Sequence, residues 1–416
     1  MDDYEDDINA ADDAALKYIQ LLSIAYPKLI NWCMELSDFY QLKKWHNLSN
    51  TIEDFIRIPI FPGGEVLVLL YQNFIIHFET KINLLKLAYI VDRVCQRYPE
   101  EEAAISFLEG VIGRIQATKQ KCIEEPIMFL NITLALLYLE KEDQIECKNL
   151  LENAKNSLDS MTDIHQSIYS HYYWVLSQYH KSRREFAEFY KSLFLYVPFD
   201  PVEPVSNPFK QDLAVDMSLS ALLGDNIYNF GELLVHPTIK SLQDSPVSWL
   251  YHLLKAFNSG DLVRFRDLCL VHREFLSAQP ALVENEKKIL EKCHILCLMD
   301  IIYSRLSEDR TISLSLIAKR TKLSVEDAEY LLMKSLSVHL IEGIIDQVDE
   351  TVYISWAQPR VLGIPQIRDL RHLLDNWINK LQWAIATMEA ETPDVRTYIL
   401  PDESTEGIPL YVYPRG

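Results

Sequence analysis

Between positions 311 and 362 the hydrophobic pattern changes period once, at Ile341, and that switch restricts the fold of the segment more than any other feature of the chain. Before it, Ile312, Leu314, Leu316 and Ile317 open a short helix that Ala318-Lys319-Arg320-Thr321 closes. Ser324-Val325-Glu326-Asp327 has the form of a capping box, in which the Ser hydroxyl and the Asp carboxylate satisfy free backbone N–H groups of a second helix. That helix carries Val325, Ala328, Leu331, Leu332, Leu336 and Val338 at helical spacing. After Ile341 the runs 341–348 and 351–356 alternate like two strands about Asp349-Glu350, with Val352, Ile354 and Trp356 on one face. Helix, turn, helix and hairpin make a winged helix, which serves both nucleic-acid binders and protein-assembly subunits.

Charge separates those two uses. The segment 311–362 holds five bases (Lys319, Arg320, Lys322, Lys334, Arg360) against seven acids, a net of −2. A helix entering the major groove needs Arg, Lys, Asn or Gln at its N-terminal end. This one begins with Glu326, Asp327 and Glu329, and the tip of the wing, Asp349-Glu350, is acidic as well. The whole chain carries −20, opposite to the electrostatic footprint of a nucleic-acid binder. Protein interaction is the expected use, and salt-sensitive binding to DNA or RNA is the alternative from another class.

Long stretches of helical period fill most of the 416 residues, and only 11 glycines argue against a doubly wound α/β fold. The run 127–139 pairs with 145–158, and 164–179 pairs with 186–196, as two antiparallel helical hairpins. Each has an apolar face that it cannot bury alone, so stacking into a degenerate, tetratricopeptide-like solenoid is expected. Pro198, Pro201, Pro204 and Pro208 forbid a continuous helix where they fall. Beyond Pro365, Ile367, Leu370, Leu374, Trp377, Leu381, Ala384 and Met388 follow the alternating three- and four-residue spacing of a heptad seam. A terminal helix with such a seam needs partner helices. The expected organisation is an acidic flexible start (1–14), a helical-repeat arm (15–197), a Pro-rich loop (198–208), a helical block (209–310), the winged helix (311–362), a bundle helix (364–390) and a mobile tail (391–416).

No apolar run reaches the roughly 18 residues of a membrane span. The first 13 residues hold seven acids and no base, unlike a targeting peptide. Seven irregularly spaced cysteines fit reduced thiols of the cytoplasm or nucleus. Cys293-His294 and Cys297, with Cys269 and His272 upstream, lack paired zinc knuckles and read as core thiols. Phosphate loops, a nucleophile elbow and HExxH are all missing, so neither a catalytic set nor a cofactor is expected.

Several segments carry a family likeness. Ile227-Tyr228-Asn229-Phe230-Gly231-Glu232-Leu233-Leu234-Val235-His236-Pro237, Ala256-Phe257-Asn258-Ser259-Gly260-Asp261 and Ile295-Leu296-Cys297-Leu298-Met299 resemble the PCI-domain subunits of the 26S proteasome lid. So do Lys334-Ser335-Leu336-Ser337-Val338, Glu342-Gly343-Ile344-Ile345-Asp346-Gln347-Val348-Asp349 and Trp356-Ala357-Gln358-Pro359-Arg360-Val361-Leu362. Lys44-Trp45-His46-Asn47-Leu48 and Leu70-Tyr71-Gln72-Asn73-Phe74-Ile75 extend the likeness towards the N-terminus.

The resemblance implies a mainly α chain: a helical-repeat solenoid, then a PCI domain with its winged helix, then a helix joining a common bundle. It also implies a non-catalytic scaffold acting in ubiquitin-dependent degradation in cytoplasm and nucleus. Its partners would be PCI neighbours, a helical bundle that includes the deubiquitinase pair, and the ubiquitin receptor near the base; neither nucleic acid nor membrane is among them. The expected contact residues are Val352, Ile354 and Trp356 on the hairpin and Ile367, Leu370, Leu374, Trp377, Leu381 and Met388 on the seam. Other PCI assemblies, the COP9 signalosome and translation initiation factor 3, are the alternatives within the class.

Overall fold

The computed structural model describes residues 2–57, 65–118, 123–199, 207–305, 309–361 and 364–391. Ten helices build the first part: α1 (Asp2–Ala25), α2 (Ile30–Gln41), α3 (Trp45–Arg57), α4 (Glu65–Asn73), α5 (Leu84–Cys95), α6 (Glu101–Ala117), α7 (Glu124–Glu140), α8 (Gln144–Ser160), α9 (Gln166–Ser182) and α10 (Phe186–Tyr196). The backbone of α1 is helical from Asp2, through the acidic stretch expected to be a flexible start; acids suit the positive end of a helix dipole. Side-chain caps fix several boundaries: Asn83 accepts from the Leu85 and Lys86 N–H groups, and Asp143 accepts from the Glu146 N–H. The expected hairpins are α7–α8 and α9–α10. Glu101 and Glu102 occupy the first turn of α6.

The hydrophobic core divides earlier than the Pro-rich segment suggested. One continuous core runs from Ala15 to Tyr179 and a second from Phe189 to Ile354. The buried residues divide at the second hairpin, whose two helices pack closely on each other: α9 also packs back onto α7, and α10 forwards onto α11 (Asn207–Leu223). Tyr173 and Trp174 of α9 touch both cores and join them. Within the Pro-rich loop, residues 200–206 lie outside the described residues, as does the tail beyond Glu391.

The second core gathers α11 with α12 (Phe230–Val235), α13 (Pro237–Lys240), α14 (Ser248–Asn258), α15 (Leu262–Val271), α16 (Arg273–Ser277), α17 (Pro280–Glu284) and α18 (Glu286–Tyr303). The His236 backbone N–H closes α12 by donating to the Leu233 carbonyl at 3.1 Å, while its side chain turns to the next helix. Its Nδ1 accepts from the Thr238 N–H at the start of α13, where Pro237 occupies a first-turn position that needs no donor.

The winged helix packs against α18. It comprises β1 (Thr311–Ser313), α19 (Leu314–Thr321), α20 (Val325–Ser337), β2 (Ile341–Asp346) and β3 (Thr351–Ala357), with antiparallel strand order β1-β3-β2. Ile312 fits the helical spacing of the residues after it, yet it lies in the strand β1, since three residues are too few to show an alternation. Ser324 caps α20 by accepting from the Asp327 N–H at 3.1 Å, while its hydroxyl donates to the Asp327 carboxylate at 2.7 Å. β2 stops at Asp346 because that carboxylate accepts from the Val348 and Asp349 N–H groups and turns the chain. The last helix, α21 (Ile364–Glu391), has Pro365 in its first turn.

Candidate protein-interaction surfaces

The hairpin does not present one apolar face. Val352 and Ile354 are 0% and 4% exposed and pack the sheet onto the helices, so neither can meet a partner. Trp356 is 43% exposed. The cause is a bulge: Glu342 pairs with Trp356 but Gly343 pairs with Ile354, leaving Ser355 as the extra residue. One added residue reverses the alternation, so Trp356 joins Tyr353 on the outer face instead of Ile354 on the inner one. The tight approach at the bulge needs Gly343, since a Cβ there would collide with the Tyr353 carbonyl oxygen. Ser355 then closes the bulge by donating from its hydroxyl to the Glu342 carbonyl at 3.1 Å.

The outer face is therefore two cross-strand pairs, Ile344 with Tyr353 and Glu342 with Trp356. Ile344 and Tyr353 are exposed large side chains that the sequence reading passed over. The strand order leaves one edge of β2 without a strand partner among the described residues. Acids belong to this surface: Glu342 stands opposite Trp356, and Glu329 accepts from Gln347 beside the wing. Phosphate would be repelled here.

The seam of α21 is open along its length. Ile367, Leu370, Leu374, Trp377, Leu381 and Met388 are all between 47% and 68% exposed. Leu373, Ile378, Ile385 and Trp383 are exposed too, which makes the apolar stripe wider than a two-helix seam uses. Covering such side chains contributes roughly 1.5–3 kcal/mol each, so the helix can drive association strongly once partners surround it.

Among the described cysteines, Cys293 and Cys297 are buried on α18 beside half-buried Cys269. Burial pushes the thiols up, Cys293 to about 12 and Cys269 and Cys297 to about 11, so they stay protonated at neutral pH. A thiolate for metal or nucleophilic chemistry is thus disfavoured by the same packing that builds the core. Among the described residues no helix is long and apolar enough to cross a membrane.

Stacked helical hairpins, a winged helix carried on their end and a terminal helix with an exposed apolar seam define a scaffold of the PCI class. Comparison with known proteins agrees: the model for PSD13 N-terminal repeats matches residues 32–254 and the PCI domain model matches 269–356. The chain belongs to the family of 26S proteasome non-ATPase regulatory subunit 13. It is 59% identical over 382 residues to homolog B of that subunit from Arabidopsis thaliana, covering 92% of this chain and 99% of the relative. The Dictyostelium discoideum subunit is 34% identical over 380 residues, covering 91% and 98%. The regulatory subunit RPN9 of Saccharomyces cerevisiae is 31% identical over 376 residues, covering 88% and 94%.

Proposed function

We propose that this protein is a non-catalytic structural subunit of the 26S proteasome lid that supports assembly and ubiquitin-dependent protein degradation. Near full-length similarity to proteasome regulatory subunits supports the assignment. The observation that carries the mechanism is the 28-residue α21, whose apolar seam is exposed from end to end. Such a helix is costly in water and becomes stabilising when bundled with others.

In this reading α21 enters a common helical bundle that includes the deubiquitinase pair. The outer hairpin face and the free edge of β2 meet a PCI neighbour. The helical-repeat arm reaches outwards to the ubiquitin receptor near the base. The protein works in cytoplasm and nucleus, without a cofactor, nucleic acid or membrane.

The test is gentle isolation of tagged full-length protein and of a chain ending at Leu362, followed by mass spectrometry of what co-purifies. Full-length protein is expected to bring down the lid subunits, the deubiquitinase and the ATPase ring, while the shortened chain stays folded and comes alone. Normal recovery of the lid by the shortened chain would overturn the role of α21. Recovery of signalosome or initiation-factor subunits by the full-length chain would overturn the assembly named.

A further inference from the structure

The Asn229-Phe230-Gly231-Glu232 and Gln358-Pro359-Arg360-Val361 segments meet in space, and neither the hairpin surface nor the helical seam accounts for them. Phe230 is fully buried at the start of α12, edge-on to Phe257 at 4.9 Å between ring centroids. Gly231 follows, and a Cβ there would stand 2.9 Å from the Val361 carbonyl oxygen and 3.2 Å from Val361 Cβ. The chain leaving β3 therefore lies directly on α12, a contact that any larger residue would open.

Three further contacts hold the same four residues. Arg360 donates to Asp300 Oδ1 at 3.1 Å, and its guanidinium sits 4.5 Å from the centre of the Tyr303 ring. Both partners lie in the last turn of α18. The Gln358 N–H donates to the Leu340 carbonyl at 2.8 Å, just before β2. An ion pair that is also stacked on a ring favours arginine over lysine, because only a planar guanidinium does both. Ile364, the first residue of α21, comes three positions after Val361.

We propose that residues 358–361 are a latch that fixes the root of α21 on the helical body, with Gly231, Asp300 and Arg360 as its positioning residues. Its purpose rests on the bundle reading of α21, although the contacts themselves do not. A 28-residue helix is about 42 Å long, so a swing of about 10° at its root displaces its far end by about 7 Å. Holding the root in advance removes ordering entropy that the bundle would otherwise have to overcome.

Arg360 supplies its own probe, since trypsin cleaves after arginine. The full-length chain is digested briefly under native conditions, and cleavage after Arg360 is compared with that of a free peptide of residues 356–364. Wild-type protein is expected to resist at this bond. Asp300→Ala, which keeps the cleavage site, and Gly231→Ala are each expected to speed cleavage there at least about tenfold while melting of the body shifts little. Tyr303→Leu covers the case in which Gly231→Ala fails to fold. Each variant is then expected to enter the proteasome several-fold less than wild type, with free protein accumulating.

Wild-type cleavage as fast as that of the peptide would overturn the latch. Faster cleavage in Asp300→Ala with undiminished incorporation would overturn its positioning role. Variants in the α21 seam that keep a resistant Arg360 bond yet enter normally would sink the bundle reading and leave the latch in place.

Discussion

The Lys292 ammonium on α18 donates to the Ala221 carbonyl at the end of α11, at 2.8 Å. The same Nζ donates to Leu222 O at 3.2 Å and Gly224 O at 2.8 Å, so one buried cation closes a helix C-terminus seventy residues away. The rings of Tyr228 and Phe230 lie beside it, 5.7 Å and 5.4 Å from Nζ. Lys292→Met keeps the stem but strips three carbonyls of their donor. It is expected to cost about 2–4 kcal/mol and to lower the melting temperature by several degrees, as calorimetry would read.

The same lysine gives the protein a pH signature. Burial pushes the Lys292 ammonium down to about 7, against about 10.4 for an ordinary lysine. Between those values the unfolded chain holds a proton that the folded chain has released, so this group adds stability as pH rises from about 7 towards 10. The buried thiols act in the opposite direction, since Cys95 and Cys293 are pushed up to about 12 and the unfolded chain loses those protons first. The difference in stability between wild type and Lys292→Met cancels the thiols. It should grow between pH 7 and 9, and a flat difference would contradict the assignment.

Inner and outer hairpin residues should separate cleanly. Val352→Asp places an unpaired carboxylate in a fully buried site and is expected to unfold the winged helix, at a cost above about 3 kcal/mol. Tyr353→Glu, on the exposed face, is expected to change stability by less than about 1 kcal/mol while weakening association with the neighbouring subunit. Circular dichroism melting and co-purification distinguish the two effects.

Seam substitutions should leave the isolated chain unmoved. Leu374 and Trp377 are more than half exposed, so Leu374→Glu and Trp377→Glu remove no buried contact in the free protein. Their expected effect is loss of most incorporation into the proteasome, with the melting temperature of the purified chain unchanged. A lowered melting temperature would mean that the seam is covered within the chain itself.

The arm has its own polar centre. The Tyr71 hydroxyl donates to Glu79 Oε2 at 2.9 Å and Arg114 Nε donates to Glu79 Oε1 at 2.8 Å, tying α4 and the turn after it to α6. Tyr71→Phe should lose the bond to Glu79 and the longer one that the hydroxyl accepts from Arg114 at 3.4 Å, about 1.5–3 kcal/mol. Glu79→Ala should cost more, above about 3 kcal/mol, because it removes the carboxylate that both the buried Tyr71 hydroxyl and the Arg114 guanidinium bind. Urea unfolding followed by the arm's tryptophans would rank the two.

Local pattern was enough for much of this. The period switch at Ile341, the Ser324 cap and the heptad spacing of Ile367 to Met388 each depend on neighbours a few residues apart, so they can be read along the chain. The hairpin surface was only half legible. Alternation placed Val352 and Ile354 correctly together but assigned Trp356 to their side, because a bulge at Ser355 depends on pairing with Glu342 and Gly343 across the sheet. β1 leaves no local signal for a similar reason: its three residues become a strand only by pairing with β3.

The amino-acid sequence by itself determined that this is a helical-repeat chain ending in an acidic winged helix and a seam-bearing helix, since apolar periodicity and charge are properties of consecutive residues. Tertiary structure alone decided which face of the hairpin is free, how α10 joins the arm to α11, and why Gly231, Lys292 and Arg360 stand where they do. Those three act on Val361, Ala221 and Asp300, partners 60 to 130 positions away, and such pairings exist only once the folded chain brings distant backbone and charge within a few ångströms.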